Sequence, residues 1–202
     1  MALPTVTALR EKSNGRVAVQ LDGENWRILP ADVVVRAGLR CGAPLDREHA
    51  RTLARELRRA RALEAAARAL RHRDLPRQRL AERLTNRGVG PAARDEALDT
   101  LSRSGVLDDA RFAESRASAL AERNLGNAAI RHDLASHGLS PDLVEQACAQ
   151  LPSEHERVAR VVARRGRSAA TARYLTRRGF DADVVEQALP VEFAPDAQGE
   201  LG

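Results

Sequence analysis

The pattern of apolar positions changes period once along this chain. Between residues 5 and 29 it comes in two short runs, 17–21 and 26–29, divided by Asp22-Gly23, a pair suited to the left-handed backbone of a two-residue hairpin turn. Residues 6–9 supply a third strand, and three strands with one packed face are about the minimum for a sheet that is stable by itself. The spacing predicts a small sheet anchored by Trp26. Pro30 opens a short helical segment that stops before Gly38, and Gly42 with Pro44 keeps the next stretch irregular. From Asp46, a helix cap, the period becomes three to four: Leu53, Leu57, Ala60, Leu63, Ala67 and Leu70 form one apolar stripe on a long helix over 47–73.

Beyond this helix one pattern is written three times. An apolar residue stands four positions before a glycine, another follows it directly, and an Ala-apolar pair lies nine and ten positions on. The copies are Leu84, Gly88, Val89, Ala97, Leu98; then Leu134, Gly138, Leu139, Ala147, Cys148; then Leu175, Gly179, Phe180, Ala188, Leu189. Such fixed offsets mark a helical repeat. The glycine ends the second helix of each unit, where the chain turns through a left-handed conformation that a Cβ disfavours, and the apolar residue after it folds back to close the turn.

Each unit holds three helices. Pro76, Gly88, Pro91 and Gly105 place those of the first at 60–73, 76–87 and 91–103. In the second, Asp108 or Asp109 starts a helix that runs to 123, Asn127 caps the next and Pro141 begins the third; in the third unit they span 154–165, 168–178 and 181–189. The expected fold is mainly α: three tandem three-helix repeats forming an elongated curved body, with a small strand-containing N-terminal domain. Its parts are 1–45, the hairpin-containing domain; 46–105, the long helix plus first repeat; 106–151 and 152–190, the second and third repeats; and 191–202, an acidic tail expected to be disordered.

Hydrophobic residues make up 43% of the 202 positions but aromatics only 2%, so the helices pack closely through alanine, leucine and valine. No apolar run approaches the roughly 18–20 residues of a membrane span, and the first ten residues lack a basic segment followed by a hydrophobic block, which reads as a cytoplasmic chain with no membrane partner. Cys41 and Cys148 lie far apart with no CxxC spacing and read as reduced thiols, Cys148 as a small core residue in the place of Leu98 and Leu189.

Net charge is +5, and residues 190–202 carry Glu192, Asp196 and Glu200 without a base, leaving +8 on the rest. Lys12 is the only lysine. A nucleic acid or another polyanion suits such a chain, but an arginine- and alanine-rich bias also follows from genomic base composition, so the placement of the arginines decides. Arg79, Arg83 and Arg87 fall four apart beside the buried Leu80 and Leu84. Arg157, Arg160 and Arg164 line the first helix of the third repeat with Val158, Val161 and Val162 inward, and Arg173 with Arg177 adds a pair on the second. These eight are the candidate binding residues. Singly each also reads as part of a solvated face, and Arg87 and Arg178 suit a helix C-terminus; as a set they offer the clustered charge that neutralising several phosphates requires. Too few aromatics exist for sequence-specific reading of a single strand.

Enzyme signatures are missing. His49, His72, His132, His137 and His155 form no HxxxH or HExxH; His132 and His137 stand roughly 140° apart around a helix. There is no phosphate-binding loop or nucleophile elbow either, so no catalytic residue, metal or cofactor is expected. Asp108 and Asp109 follow a glycine turn and precede a helix, where capping and the helix dipole favour carboxylates. Leu107, Arg111 and Phe112 read as structural with them: Arg111 pairs with one of these acids or with a neighbouring repeat, and Phe112 fills a junction between repeats.

The segment Gly-Val-Leu-Asp-Asp-Ala-Arg-Phe-Ala at 105–113, with Arg87-Gly88, the basic helix ending at Gly126 and the His-Gly-Leu turn at 137–139, resembles the RecX family of recombinase regulators over about residues 60–190. The residues before it look like the strand-rich extension of longer members. The chain departs from the family in having His72 where an aromatic is frequent, and arginine on a surface usually rich in lysine. The resemblance implies a non-enzymatic regulator that binds the RecA filament on single-stranded DNA, lies along its groove and restrains its growth and its ATPase, strand-exchange and coprotease activities, and with them recombination, DNA repair and the SOS response. A monomer is expected. The residues leave open a stand-alone helix-turn-helix protein on free DNA, with one helix of a unit in the major groove, and a scaffold with no nucleic-acid role.

Overall fold

A computed structural model describes residues 3–190, so the tail expected to be disordered lies outside the described residues. Strands β1 (Val6–Lys12), β2 (Arg16–Leu21) and β3 (Glu24–Pro30) form one antiparallel sheet in that order. Asp22 and Gly23 join β2 to β3 with φ of 49° and 88°, the geometry a two-residue hairpin turn requires. Val6, Val17, Val19 and Leu29 build a core with Val33 and Val34 of α1 (Ala31–Arg36), Leu39 and Leu53. Trp26 is half-buried and packs against this core, while its backbone occupies a bulge: Val19 pairs with Arg27 and Gln20 with Asn25, which leaves Trp26 without a partner in the ladder.

Asp46 caps α2 (Arg47–Leu70), accepting from the His49 N–H at 2.8 Å. The buried line of α2 is Leu53, Glu56, Arg59, Ala62, Ala66 and Ala69, not the expected stripe; Leu57, Leu63 and Leu70 are half-buried and Ala67 is exposed. Alanines at steps of three and four let α4 (Pro91–Arg103) approach closely, and Arg59 is held by Glu96 at 2.8 Å. Between them lies α3 (Arg77–Thr85). The chain forms two compact units, one of residues 1–74 with 80–106 and one of 75–79 with the chain from 107 on, so the division falls within α3.

The second unit holds α5 (Asp109–Glu122), α6 (Asn127–Ser136) and α7 (Pro141–Ala149), followed by α8 (Glu154–Arg165), α9 (Ala169–Arg177) and α10 (Ala182–Ala188). Each trio has its own core. Ala117, Ile130, Leu134, Val144 and Cys148 lie in the first; Val158, Val161, Leu175, Phe180 and Val185 lie in the second. A fully buried valine or leucine contributes about 1.5–3 kcal/mol. Among the described residues no helix is long and apolar enough to cross a membrane.

The repeat glycines take left-handed φ of 76° at Gly88, 81° at Gly138 and 80° at Gly179, and the amides of Val89 and Phe180 reach back to Leu84 and Leu175 to close their turns. Two of them do more. A Cβ at Gly179 would lie 2.7 Å from the Ala129 Cβ and 2.8 Å from its backbone nitrogen, and one at Gly138 would run into the Gln78 side chain, whereas Gly88 faces open space. The turn closing each later second helix thus packs on the first turn of the second helix one repeat earlier. One cap also differs: Gly126 is the N-cap of α6, and Asn127 is its first helical residue.

Candidate functional site

The adjacent acids that open the second repeat serve two different helices. Asp108 caps α5, accepting from the Arg111 N–H at 2.9 Å, while Asp109 reaches the start of α3 and accepts from the Arg77 N–H at 2.8 Å. One repeat later the arrangement recurs. Ser153 caps α8 with Glu156 completing a capping box, and Glu154 accepts from the Asn127 N–H at the start of α6 and from the Asp181 N–H at 3.0 Å. The first amides of a helix have no partner within it, and α6 has no side-chain cap of its own, so these carboxylates supply what the helix lacks. By contrast α9 is capped by its own Ser168, which accepts from the Thr171 N–H at 3.2 Å. Leu107 is buried, Arg111 exposed, and Phe112 half-buried with its ring 5.7 Å from that of His137.

Arg157 does not belong to a basic face. It is 2% exposed, and its guanidinium donates to the carbonyls of Pro152 at 3.1 Å and Leu125 at 2.7 Å and to Asn127 Oδ1, with Glu154 at 3.8 Å. Burial pushes this guanidinium down from its ordinary value, against the opposing pull of Glu154. Its chemistry is structural: it ties the first turn of α8 to the loop before α6. Sequence spacing could not reveal this, because the acceptors on Leu125 and Asn127 stand about thirty positions away.

The other third-repeat candidates are on the surface. Arg160 and Arg164 on α8, and Arg173 and Arg177 on α9, are exposed, and among the described residues none has a carboxylate within ion-pairing distance. Two neighbours that the spacing did not single out join them. Arg165 stacks 4.2 Å over the ring of Tyr174, and Arg178 lies 5.7 Å from the same ring while donating to the carbonyls of Asn124 at 3.1 Å and of Arg123.

The middle repeat has a different electrostatic character. Arg116 binds Asp133 through two hydrogen bonds of 2.7 and 2.8 Å, and Arg131 binds Glu145 at 2.7 and 3.0 Å. These bonds hold the Asp133 and Glu145 carboxyls below, and the two guanidinium groups above, their ordinary values. In the first repeat Arg79 donates to the Ser136 carbonyl, Arg83 is half-buried, and Arg87 lies exposed in the turn past the end of α3. The division into units separates Arg79 from Arg83 and Arg87. Among the described residues no three of His, Cys, Asp and Glu gather as metal ligands.

Residues 108–147 match a family model described as RecX, second three-helix domain. The regulatory protein RecX of Halorhodospira halophila is 32% identical over 149 residues, covering 69% of this chain and 92% of that protein. The regulatory protein RecX of Stenotrophomonas maltophilia is 31% identical over 134 residues, 61% of this chain and 81% of its own length. A crystal structure of regulatory protein RecX shares the fold with a TM-score of 0.79 at 20% identity, over 91% of this chain and 98% of that one. The RecX structure from Lactobacillus salivarius aligns with a TM-score of 0.56 at 17% identity over 64% and 93%. The three-helix repeats, the acids that link them and a sequence match across two thirds of its length place the chain in the RecX family of regulatory proteins.

Proposed function

We propose that the chain is a non-enzymatic regulator that binds the RecA recombinase filament on single-stranded DNA and inhibits its extension and activities, acting in the cytoplasm on recombination and DNA repair. Its relatives are regulatory proteins, and the exposed arginines of the third repeat, free of carboxylate partners among the described residues, carry the reading. A filament formed on single-stranded DNA offers phosphates at regular intervals. Repeats that each contribute a modest contact gain by linkage, because once one has bound the next engages at a high effective concentration.

The test measures RecA ATPase on single-stranded DNA with and without the purified chain. Inhibition at stoichiometric ratios is expected, weakened about tenfold or more when Arg160, Arg164, Arg173 and Arg177 are all changed to Glu. No inhibition by the unaltered chain would overturn the reading. Salt-sensitive binding to duplex DNA with no effect on the filament would favour a stand-alone helix-turn-helix protein.

A further inference from the structure

We propose that the open edge of β3, with the wall of α2 beside it, binds an extended acidic segment of a partner protein by adding it to the sheet as a further strand. The sheet ends at β3, which pairs with β2 on one side only. The Ala31 N–H donates to the Gly15 carbonyl at 2.9 Å, which makes Arg16 and Pro30 a non-hydrogen-bonded pair. By alternation Val17 and Leu29 are hydrogen-bonded, and Ala18 and Ile28 are not. The N–H and C=O of Ile28 therefore point away from β2, and among the described residues neither has a backbone partner. An edge of this kind is a template for another strand. The bulge at Trp26 and the missing N–H of Pro30 bound it on either side, so it takes a short segment and does not pair without limit.

A groove of about 420 Å³ runs beside this edge, lined by Ile28 and Leu29 of β3 and by Leu57, Ala60 and Leu63 of α2. The three α2 residues stand three apart and are half-buried, the middle of the apolar stripe that the sequence predicts and the fold leaves partly uncovered. Ile28 is 54% exposed. Side chains of an added strand alternate between its two faces, so every second one meets this apolar wall. Arg16, Arg27 and Arg61 line the same groove, exposed and, among the described residues, without a carboxylate in ion-pairing distance. They are opposed by Asp32 and by Glu64, whose carboxylate Arg68 already holds at 2.7 Å. The segment that fits alternates apolar side chains with carboxylates and offers its own backbone to Ile28, the mode of β-strand addition. A second copy of this chain fits poorly, since its β3 edge would set the same three arginines against their equivalents. A nucleic acid has no repeating N–H and C=O to pair with the edge, and the groove has no aromatic lining on which bases could stack.

The probe is a labelled synthetic peptide of about seven residues in which valine alternates with glutamate, titrated against the full chain without recombinase or DNA. The expected result is a saturable rise in anisotropy, with hydrogen exchange at the Ile28 amide slowed about tenfold or more. A peptide with lysine in place of glutamate is expected to bind at least about tenfold more weakly. Methylating every second peptide nitrogen is expected to abolish binding for one of the two alternate sets and to spare it for the other, because only one set faces β3. Ile28→Pro removes the outward N–H at an edge position where proline is tolerated, and Arg61→Glu reverses a charge on α2; each is expected to weaken binding about fivefold to tenfold. Trp26, the only tryptophan, checks by its emission that both variants fold, and should Ile28→Pro not fold, Arg61→Glu and the methylated peptides decide. No binding of the glutamate peptide, equal binding of the lysine peptide, indifference to methylation in both sets, or self-association of the chain that the peptide does not displace would each overturn the proposal. Inhibition of the RecA ATPase is measured without this peptide, so the filament reading stands or falls separately.

Discussion

Two glycines that occupy the same turn and differ only in surroundings give a sharp test of how the repeats stack. Alanine at Gly88 keeps a φ near 76° and alanine at Gly179 one near 80°, a left-handed backbone that costs an L-residue roughly 1–2 kcal/mol in either place. At Gly88 the added methyl meets nothing within 4 Å, so this is the whole effect. At Gly179 it meets the Cβ and backbone nitrogen of Ala129 at 2.7 and 2.8 Å, and a helix backbone cannot step aside as a side chain can. Overpacking of this kind costs about 1–3 kcal/mol. Parting the two turns also strains the bonds from the Gly126 N–H to the Arg178 carbonyl at 2.8 Å and from the Ala128 N–H to the Gly179 carbonyl at 3.2 Å, each worth about 1 kcal/mol. The expectation is a loss of about 1–2 kcal/mol for Gly88→Ala and about 3–5 kcal/mol for Gly179→Ala. Urea unfolding followed by helical circular dichroism reads both, and Trp26 emission reports the first unit separately. Equal losses, within about 0.5 kcal/mol, would show that the second role assigned to Gly179 is wrong.

Arg157→Ala leaves Glu154 and three acceptors without their buried cation and is expected to cost about 3–5 kcal/mol, while Arg160→Ala on the same helix stays within about 0.5 kcal/mol; unfolding midpoints that do not separate the two would contradict the burial of Arg157. The Asp133 carboxyl, held by Arg116 below its ordinary 3.8, adds stability that is complete above that value and disappears as pH falls through its lowered folded-state value. Asp133→Asn is therefore expected to be less stable than the unaltered chain at neutral pH, by a margin that shrinks as pH falls below 3.8; a gap between their urea midpoints that is independent of pH would refute the linkage.

The turns of the repeats were legible because their chemistry is local: a glycine at a fixed offset, a following apolar residue and a proline or acid at the next helix start are read within about ten positions. Strand pairing was legible for the same reason, since Asp22-Gly23 fixes the β2–β3 hairpin. What failed depended on distance in sequence. The leucine stripe of α2 was misread because this helix packs on both α1 and α4, which spreads its burial and gives the tightest line to Ala62, Ala66 and Ala69. Trp26 packs against the sheet's core as its size suggested, but the register shift that leaves it without a partner in the ladder makes no mark in composition. Asp109 was read as serving its own helix and position 154 only as a helix start, since partners 32 and 27 positions back lie outside any local motif. Arg157 followed the spacing of its exposed neighbours and still turned inward, drawn by carbonyls that only the folded chain assembles.

The links made by Asp109 and Glu154 give the array a direction in time. Each acid belongs to the module after the one whose helix it completes, so a chain emerging from the ribosome carries α3 with an unanswered amide until Asp109 appears, and α6 until Glu154 follows. Of the three second helices only α9 is finished when made, because Ser168 precedes it by a single residue. Truncation from the C-terminal side would accordingly injure the module that remains as well as the one removed, and a nascent fragment that stops between modules is the species in which a chaperone would find an open helix end.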